Sequence, residues 1–479
     1  GHLGDQVRSY LTLAHPKHQF IFVTVDRYEG PGSGPGYSLL CCRDFLNEPF
    51  YFVSCDTLWT DEISLDSKEN WMGVSPIPLS ESQQYCNART HRNSQSKWIV
   101  TEIRDKEPIE SDEFQAFVGL ALIYDTNVFW SSLDQASAQG DRVAGEVQIS
   151  HGLKALLREK TLSAEKIDWI DVGNEEQYRT EQKRQLGKDF DFSKTNEFIY
   201  QLNGRVLKFF SDFSACEKRA RRGSARPNAF PRMIGQKSHF FAYDFQAGET
   251  LYRSIDSDRF KDLLAWLTEV LWEPLEVNAH RKSQACKNFY RDKTFARIEE
   301  YFKKVSLRDS ESIVNGVSLP KTQSLLKQVP WDSLENESIP VFFHGDLQFD
   351  NILYDFDKKA FTLIDWRQDF GGEEEFGDLY YDYAKLMGGI LLNYDLIKKG
   401  LFSYEERGGE IHFNFAKRYL DDELNQTLEQ YIQSRGHDLL KTRILTGLIF
   451  LNMSPLHHPP FDHLLYSLGR LRLHQTLNA

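Results

Sequence analysis

Residues 344–351 bring together side chains whose types and spacing suit phosphoryl transfer. The stretch reads HGDLQFDN, an H-x-D-x-x-x-x-N pattern that contains His344, Asp346 and Asn351. Phosphoryl transfer from a nucleotide needs one carboxylate that orients and deprotonates the acceptor hydroxyl. It also needs an amide oxygen and a second carboxylate that hold metal ions on the phosphates. The aspartate and the asparagine have the spacing of a kinase catalytic loop. The pattern predicts nucleotide-dependent phosphoryl transfer, and a coincidental polar loop is the alternative.

The residues that follow predict a β-hairpin that returns the chain to the asparagine. Two apolar segments, 352–354 and 361–364, flank the polar turn 355–359. Apolar runs on either side of a short polar turn are typical of two paired strands. The hairpin would carry Asp365, which follows the second strand, back beside Asn351.

The sequences HGDLQFDNIL and LIDW resemble the aminoglycoside phosphotransferase and choline kinase superfamily, whose fold is protein-kinase-like. The resemblance implies that Asp346 is the catalytic base and that Asn351 and Asp365 bind Mg²⁺. It also implies that ATP is the phosphate donor. A bilobal α+β domain, with a small sheet-rich lobe before a larger helical lobe, is therefore expected in the carboxyl-terminal part of the chain.

The same resemblance extends through residues 377–385. There it implies that Asp378 and Asp382 brace the catalytic loop rather than take part in catalysis. One position departs from the family pattern, because Arg367 follows Trp366 where many members have glutamate. The role of this arginine is left open.

Upstream, residues 197–210 predict another hairpin, because Asn203-Gly204 is a strong signal for a tight turn between strands. Lys208 lies in the second strand, where a kinase lysine holds the nucleotide phosphates. A strand lysine that extends to solvent is the alternative. Glu217, on the next predicted helix, could pair with Lys208 or lie on a solvated helix face.

An apolar strand that begins at Phe240 ends in a polar segment before Gly248. The resemblance implies that this segment is the hinge between the lobes, with Tyr243 and Phe245 beside the nucleotide base. Three histidines within residues 457–463 raise the possibility of a metal site. Their irregular spacing around a Pro-Pro pair favours a turn or a pocket wall instead.

Composition excludes several classes of protein. The chain has 479 residues, 41% hydrophobic and 27% charged, so two or three domains are expected. The formal net charge of −13 argues against nucleic acid or an anionic membrane as the main partner. No apolar run is long enough for membrane insertion, and no secretory segment is recognised. The six cysteines show no C-x-x-C spacing, which favours reduced thiols and a cytoplasmic location.

A change of pattern near residue 185 predicts the domain boundary. Residues 1–185 alternate short apolar runs with loops, as in an α/β sheet, and the resemblance described below implies that this sheet is Rossmann-like. Residues 186–479 form the kinase-like domain, with the small lobe at about 195–250 and the helical lobe at about 255–479.

Two carboxylates in the first half follow apolar strands. Asp56 ends the segment 49–58, and Asp171 ends a strand that begins at Ile167. In α/β sheets, ligands bind at such strand ends. Two such carboxylates could share one Mg²⁺ that holds a nucleoside triphosphate. A turn-forming or helix-capping role is the alternative.

Together with the sequence GPGSGPG at 30–36, these residues resemble the nucleotidyltransferases that activate sugar phosphates and phosphocholine. The resemblance covers roughly residues 1–180 and implies that Asp56 and Asp171 bind the metal. It places the glycine-rich loop beside CTP or another nucleoside triphosphate and one further glycine by the acceptor phosphate. The residues concerned are Gly32, Ser33, Gly34 and Gly119. For the loop, a flexible turn is the alternative.

The resemblance has one gap at its amino-terminal end. The family opens with a G-x-G-T-R loop that grips the triphosphate, whereas this sequence begins Gly1-His2-Leu3-Gly4. The first domain is therefore expected to be either a fragment or degenerate.

Both resemblances together predict a bifunctional transferase. The kinase would phosphorylate choline, ethanolamine or a sugar, and the first domain would couple the product to a nucleotide. The result would be an activated donor for surface polysaccharide. Two alternatives remain: a kinase with a degenerate nucleotide-binding scaffold, and an aminoglycoside-modifying kinase, for which the acidic run 373–375 gives some support.

Overall fold

The chain divides into two compact units of unequal size, and each unit has its own buried hydrophobic residues. A computed structural model describes residues 3–64, 66–109, 111, 113–186, 196–306 and 308–479. The first unit comprises Gly1–Gly4 and Phe20–Asp189, and the second comprises Asp5–Gln19 and Phe190–Ala479. Helices and strands occur in both, as the predicted mixed α/β class requires. The predicted boundary adjoins residues 187–195, which lie outside the described residues.

The described chain opens with helix α1 (Gly4–Ala14), and the first unit contains eight strands and four further α-helices. The strands are β1 (Phe50–Val53), β2 (Thr57–Trp59), β3 (Trp71–Ser75), β4 (Cys86–Arg92), β5 (Trp98–Asp105), β6 (Phe114–Ile123), β7 (Ser163–Lys166) and β8 (Trp169–Asp171). The helices are α2 (Pro35–Cys42), α3 (Thr126–Gln139), α4 (Ser150–Glu159) and α5 (Glu175–Leu186), with short 3₁₀ turns at Arg43–Phe45 and Leu79–Gln84.

Strand β6 is the centre of the first unit, because every one of its residues is buried. The sheet order is β1-β6-β3-β7-β5-β4, and β4 also pairs with β6. Among the described strands of this sheet only β3 and β7 pair in parallel, which differs from the mostly parallel strands of a Rossmann-like sheet. Helices α3 and α4 cover it through Phe129, Leu133 and Leu153. Strands β2 and β8 form a separate antiparallel ladder.

The second unit contains thirteen described strands, most of them short. They are β9 (Glu197–Leu202), β10 (Arg205–Phe210), β11 (Met233–Lys237), β12 (Phe240–Asp244), β13 (Glu249–Thr250), β14 (Ser312–Val314), β15 (Val317–Leu319), β16 (Pro340–Val341), β17 (Ile352–Asp355), β18 (Ala360–Leu363), β19 (Gly377–Asp378), β20 (Phe402–Arg407) and β21 (Glu410–Phe415).

Its helices are concentrated after residue 250. They are α6 (Phe213–Ala225), α7 (Leu251–Ser254), α8 (Ser257–Val270), α9 (Ala279–Cys286), α10 (Lys293–Val305), α11 (Thr322–Gln328), α12 (Trp331–Asn336), α13 (Leu379–Leu391), α14 (Tyr394–Lys398), α15 (Asp421–Ser434), α16 (Leu439–Met453) and α17 (Phe461–Leu477). A π-helical turn at Lys287–Asp292 joins α9 to α10, and 3₁₀ turns lie at Phe349–Asn351 and Ser454–Leu456.

The predicted hairpin at 197–210 is confirmed, and it belongs to a four-stranded sheet with the order β11-β12-β10-β9. Asn203 and Gly204 both have positive φ, 51° and 71°, as a tight hairpin turn requires. Helix α1 packs on this sheet through Leu13, which joins Leu207 in one hydrophobic cluster. Residues 5–19 therefore group with the second unit, whereas the sequence analysis counted them with the first.

Helices α13, α16 and α17 form the interior of the larger part of the second unit. Nearly all residues of α13 are buried, and its amino terminus is capped by Asp378, whose side chain accepts the Tyr380 N–H. None of the described helices combines the length and the apolar character that crossing a membrane requires. The buried α13 is instead a core helix, which positions Lys385 at the cavity described below and Asp382 behind the wall of that cavity.

We expect Gly223→Ala to destabilise the protein and Gly388→Ala, also within a helix, not to destabilise it. A Cβ at Gly223 would overlap the Trp366 ring, so this variant should lose about 1–3 kcal/mol of unfolding free energy through overpacking. The nearest atom to a Cβ at Gly388 is 3.7 Å away, so alanine there should be neutral or stabilise the helix by up to about 1 kcal/mol. Thermal unfolding of the full chain followed by circular dichroism measures both. Equal unfolding temperatures for the two variants would contradict this packing.

Candidate active site

An open cavity of about 1110 Å³ in the second unit collects most of the residues singled out in the carboxyl-terminal half. The four-stranded sheet contributes one wall through strands β9, β10 and β12. Helices α10 and α13 and the segment after α16 contribute the other wall. Between the two walls lie the loop 344–351 and the end of the hairpin β17–β18.

A buried carboxylate holds the start of the 344–351 loop. Asp382 accepts the backbone N–H groups of His344 and Gly345, both at 2.8 Å, and the Trp272 indole N–H at 3.0 Å. Burial raises the pKa of Asp382 to about 6. The three donors favour the charged form and so oppose this shift. Asp382 therefore braces the loop, as expected, and lies behind the cavity wall.

His344 ties the loop to the end of the hairpin. Its Nδ1 accepts the Asp346 N–H at 3.1 Å, so Nε2 carries the proton and donates to the Ile364 carbonyl at 2.9 Å. Burial lowers the pKa of His344 to about 4, so the ring is neutral at pH 7. The adjacent Gly345 has φ 82°, and a Cβ there would collide with the side chains of Phe343 and Arg367.

Asp346 projects into the cavity between a lysine and an amide. Lys385 Nζ lies 2.7 Å from Asp346 Oδ1, and Asn351 Nδ2 lies 3.2 Å from Oδ2 and 2.8 Å from the Asp346 carbonyl. Burial alone would lower the pKa of Lys385, but the Asp346 carboxylate outweighs it and the net pKa is raised. The sequence analysis assigned no role to Lys385. The one feature of the sequence that could have indicated a role for Lys385 is the presence of a lysine within an apolar helix.

The predicted hairpin over 352–364 is confirmed, with Ile352 paired to Leu363. The Ile364 N–H donates to the Asn351 carbonyl at 2.9 Å, so the hairpin returns Asp365 to the neighbourhood of Asn351. Asp365 has φ 60°, a left-handed conformation that costs a non-glycine residue roughly 1 kcal/mol or more. The surrounding structure holds this strained backbone at the cavity.

Two cations neutralise Asp365. Lys208 Nζ and Arg219 Nη1 approach the same Asp365 oxygen at 2.7 and 2.9 Å. The pairing of Lys208 with Glu217, one of the two options from the sequence, does not occur. Glu217 instead pairs with Arg221 at 3.3 Å, one turn along the exposed face of α6. The helical period places Arg219, two residues later, on the face toward the cavity.

The oxygen atoms at this point of the cavity fit a magnesium ion that also binds nucleotide phosphates. Mg²⁺ takes oxygen ligands and usually uses one or two carboxylates together with phosphates and water. Asn351 Oδ1 accepts no hydrogen bond from the described residues, and Asp365 lines the same cavity. Within the same described ranges no three His, Cys, Asp or Glu side chains cluster as a metal cage would require. The assignment of Asn351 and Asp365 as Mg²⁺ ligands stays a prediction.

The other residues expected near the nucleotide lie along the same cavity. Tyr243 and Phe245, at the end of β12, both line it, with Tyr243 buried and Phe245 exposed. His457 and His458 line the opposite wall, as the pocket-wall interpretation predicted. His463 instead contacts the Tyr301 hydroxyl at 2.7 Å through its Nδ1.

In the first unit, Asp56 and Asp171 come together, but on a small ladder and not at the ends of central strands. Asp171 pairs with Thr57 across β2 and β8. A Cβ built on Gly173 would lie 3.1 Å from Asp171 Oδ1 and 3.6 Å from Asp56 Oδ2, so both carboxylates approach this point. Asp171 Oδ2 also accepts the Tyr85 hydroxyl at 2.7 Å. The two side chains could share a hard cation.

Packing accounts for the glycine-rich loop. Ser33 is buried, its hydroxyl donates to the Gly30 carbonyl at 2.7 Å, and its own carbonyl accepts the Val147 N–H at 2.8 Å. Gly32 and Gly34 have φ of 85° and 113°, and a Cβ on Gly34 would lie 2.7 Å from the Val147 carbonyl. The loop is therefore a fixed turn on residues 143–148.

Gly119 lies under the turn that carries Asp56. It has φ 76°, its carbonyl accepts the Ser54 N–H at 2.7 Å, and a Cβ would lie 2.7 Å from Ser54 Cβ. The glycine is thus required for close approach of β6 to residues 54–57. A role toward an acceptor phosphate stays a prediction.

Comparison with known proteins gives distant likenesses only. No protein-family profile and no curated protein matches the chain. Among solved structures, the chain is similar to a UDP-glucose pyrophosphorylase complexed with UDP-glucose, with 17% identity and a TM-score of 0.27, over 33% of this chain. The chain spans 63% of that pyrophosphorylase.

Two further likenesses cover more of this chain. An ethanolamine kinase from Plasmodium vivax is 15% identical with a TM-score of 0.32, over 68% of this chain and 93% of the kinase. An aminoglycoside phosphotransferase in a ternary complex with streptomycin and ATP is 14% identical with a TM-score of 0.35, over 64% of this chain and 97% of that chain. These scores are too low to carry a functional argument, which rests on the geometry of the cavity.

We expect His344→Asn to reduce the acid sensitivity of the second unit. The pKa of His344 falls from 6.5 to about 4 on folding, so its contribution to stability is present above pH 6.5 and is lost as pH falls toward 4. The full effect is roughly 3 kcal/mol at 1.36 kcal/mol per pKa unit. Asparagine does not titrate and can still accept the Asp346 N–H.

The measurement is the unfolding temperature of each protein at pH 7.0 and 5.0. The exposed His412→Asn serves as the control and should keep the parent's dependence on pH. The raised pKa of Asp382 acts in the opposite direction, because its contribution is lost as pH rises through about 6. This second contribution is common to all three proteins. An acid loss that is as large in His344→Asn as in the parent would show that His344 is not the group responsible.

Proposed function

We propose that the second unit is an ATP- and magnesium-dependent kinase that phosphorylates a hydroxyl group of a small molecule. The observation that supports this most strongly is the position of Asp346 in the cavity. Its carboxylate lies between Lys385 and Asn351, and the hairpin brings Asp365 to the same place. A base, an amide oxygen and a second carboxylate are the groups that phosphoryl transfer requires.

The residues of the cavity have separate tasks in this step. The oxygen of the acceptor hydroxyl bonds to the γ-phosphorus of ATP, and Asp346 accepts the proton of that hydroxyl. The bond from the γ-phosphorus to the β-phosphate oxygen breaks, which releases ADP. Magnesium, when bound by Asn351 and Asp365, would neutralise charge on the phosphates. Lys208 and Arg219 place two positive charges beside Asp365, on the side where the phosphates would lie.

One alternative from the sequence receives no support from the cavity. An aminoglycoside pocket would be acidic, and the run 373–375 suggested one. Glu373 and Glu375 instead form ion pairs with Arg281, and Glu374 with Arg221. None of the three glutamates is among the residues that line the described cavity.

Asp346→Asn should lower ATP-dependent turnover by at least about a hundredfold, because an amide cannot accept the hydroxyl proton. The assay measures ADP formation by the full chain with magnesium and a panel of amino alcohols, sugars and their acidic derivatives. Asp357→Asn, in the exposed turn of the hairpin, is the matched control and should keep full activity. Calorimetry of Mg·ATP binding comes first and needs no acceptor. Absence of magnesium-dependent ATP binding, or equal turnover by Asp346→Asn and the parent, would contradict the proposal.

For the first unit we propose nucleotidyl transfer to the kinase product. The supporting observation is the approach of Asp56 and Asp171 to one point at Gly173. Two carboxylates there could bind the metal of CTP or another nucleoside triphosphate while a phosphomonoester attacks the α-phosphorus and pyrophosphate leaves. The combined product would be an activated amino alcohol or sugar for surface polysaccharide. A nucleotide-binding scaffold without turnover is the alternative for this unit.

Asp56→Ala should abolish magnesium-dependent release of pyrophosphate from CTP or UTP in the presence of a phosphomonoester. It should leave ATP-dependent kinase turnover unchanged, because the residue belongs to the other unit. Asp44→Ala, an exposed carboxylate of the same unit, is the control. Pyrophosphate release that is equal in Asp56→Ala and the parent would contradict the metal role. No release by the parent with any nucleotide would favour the scaffold alternative.

A further inference from the structure

The wall of the cavity beyond Asp346 is lined by three cations, Lys293, Arg297 and Arg367, here called the cation cluster. Lys293 Nζ lies 3.9 Å from the centre of the Phe289 ring, and the guanidinium carbon of Arg367 lies 5.1 Å from the same centre. Lys293 and Arg367 thus both contact the Phe289 ring. Two other cations of the cavity, Lys208 and Arg219, differ from this cluster because both pair with Asp365.

The carboxylates on this wall already have partners. Asp346 pairs with Lys385 at 2.7 Å, and Asp350 pairs with Lys398 at 2.6 Å. These two pairs cancel, so the cation cluster gives the wall its net charge. Arg297 has a partner in Glu300 at 2.7 Å, a half-exposed residue that is not among those lining the cavity.

Lys293 and Arg367 lack such partners. In the described ranges of the chain, neither side chain forms an ion pair, and the Arg367 Nε is a buried donor with no acceptor. Burial, followed by repulsion from Arg367, Lys385 and Arg297, lowers the pKa of Lys293 well below its ordinary value. Both residues are partly buried, and placing unpaired like charges together where contact with water is reduced is costly. A bound anion would remove this cost, whereas a bound cation would add to it.

We propose that the acceptor of the kinase is an anionic alcohol, whose carboxylate or phosphate group binds to the cation cluster while its hydroxyl meets Asp346. The inference rests on the proposed kinase function and names its substrate class. The hydroxyl oxygen gains the phosphoryl group, its proton passes to Asp346, and ADP leaves. The anionic group is untouched and serves only to bind and orient the acceptor. Of the acceptor classes proposed above, this favours an acidic sugar. Choline, ethanolamine and aminoglycosides would bring a positive charge to this wall.

The alternative use of the cation cluster is to hold the phosphates of the nucleotide. The two uses differ in what Lys293→Gln changes. If the cluster binds the acceptor, the substitution weakens acceptor binding and leaves nucleotide affinity unaltered. If it binds the triphosphate, nucleotide affinity falls. Lys303→Gln is the matched control, because Lys303 lies on the same helix, is exposed and pairs with Glu299 at 2.7 Å.

The experiment is calorimetric titration of the full chain saturated with Mg·ADP. The probes are glycerol 3-phosphate and glucuronate as anions, glucose as a neutral molecule and ethanolamine as a cation. We expect both anions to bind at least about tenfold more tightly than glucose or ethanolamine. Lys293→Gln and Arg367→Gln should each weaken anion binding by about tenfold or more, and Lys303→Gln should not. None of the three substitutions should change the affinity for Mg·ADP or, titrated without an acceptor, for Mg·ATP.

The possible outcomes separate this inference from the kinase proposal. If the parent does not bind Mg·ADP, the kinase proposal fails, and the inference fails with it. If Mg·ADP binds but ethanolamine is preferred, or no anion binds, the kinase proposal stands and only the acceptor class is wrong. Anion binding that is unaffected by Lys293→Gln and Arg367→Gln, or a loss of Mg·ADP or Mg·ATP affinity in those variants, overturns the role of the cation cluster.

Discussion

The candidate active site depends on one buried carboxylate, that of Asp382. It accepts two consecutive backbone N–H groups at the start of the 344–351 loop and the indole N–H of Trp272. Leaving each buried donor unsatisfied would cost about 1–3 kcal/mol. Because Asp382 lies on the buried helix α13, its two hydrogen bonds to the backbone fix the start of the loop relative to that helix. The loop lies between the strands β16 and β17, and its start is fixed by a side chain of α13.

From Asp382 a continuous set of hydrogen bonds reaches the hairpin. His344 links the loop to the Ile364 carbonyl, and the Ile364 N–H links back to the Asn351 carbonyl. Trp366 donates its indole N–H to the Arg219 carbonyl at 2.8 Å, which attaches helix α6 to the same centre. The positions of Asp346, Asn351 and Asp365 are therefore defined by backbone contacts. The ion pairs of Asp346 with Lys385 and of Asp365 with Lys208 and Arg219 add charge balance at positions that the backbone already defines.

Local signals in the sequence were sufficient for the elements that carry these groups. Asn203-Gly204 and the polar turn 355–359 each predicted a hairpin, because turn chemistry and apolar runs act over a few residues. The partner of Lys208 was not predictable in the same way. It depends on which face of α6 meets the cavity, and that face is set by contacts with residues more than a hundred positions later. The packing of α1 on the small sheet is equally non-local.

The first unit shows a different limit. Asp56 and Asp171 were expected to meet because both follow apolar segments, and they do meet at Gly173. They are brought together by the pairing of β2 with β8 in a separate two-stranded ladder. Neither segment alone predicts this pairing. Likewise, the glycines of the 30–36 loop suggested phosphate binding, yet positive φ and close packing on residues 143–148 already require them. The spacing of glycines in a sequence does not distinguish a phosphate-binding loop from a turn that needs glycine for its backbone conformation and close packing.

Arg367 shows how a change of side chain on the same backbone could change the charge of the molecule that the cavity binds. Its backbone N–H donates to the His344 carbonyl at 3.0 Å, a contact that any residue except proline can make at this position. That backbone contact places no demand on the side chain, which extends over Phe289 toward Lys293. A glutamate at this position would pair with Lys293 and reduce the positive charge of the wall. An arginine reverses that contribution and keeps the same backbone contact. The charge of the acceptor can thus be set by side chains whose backbone serves the catalytic framework unchanged.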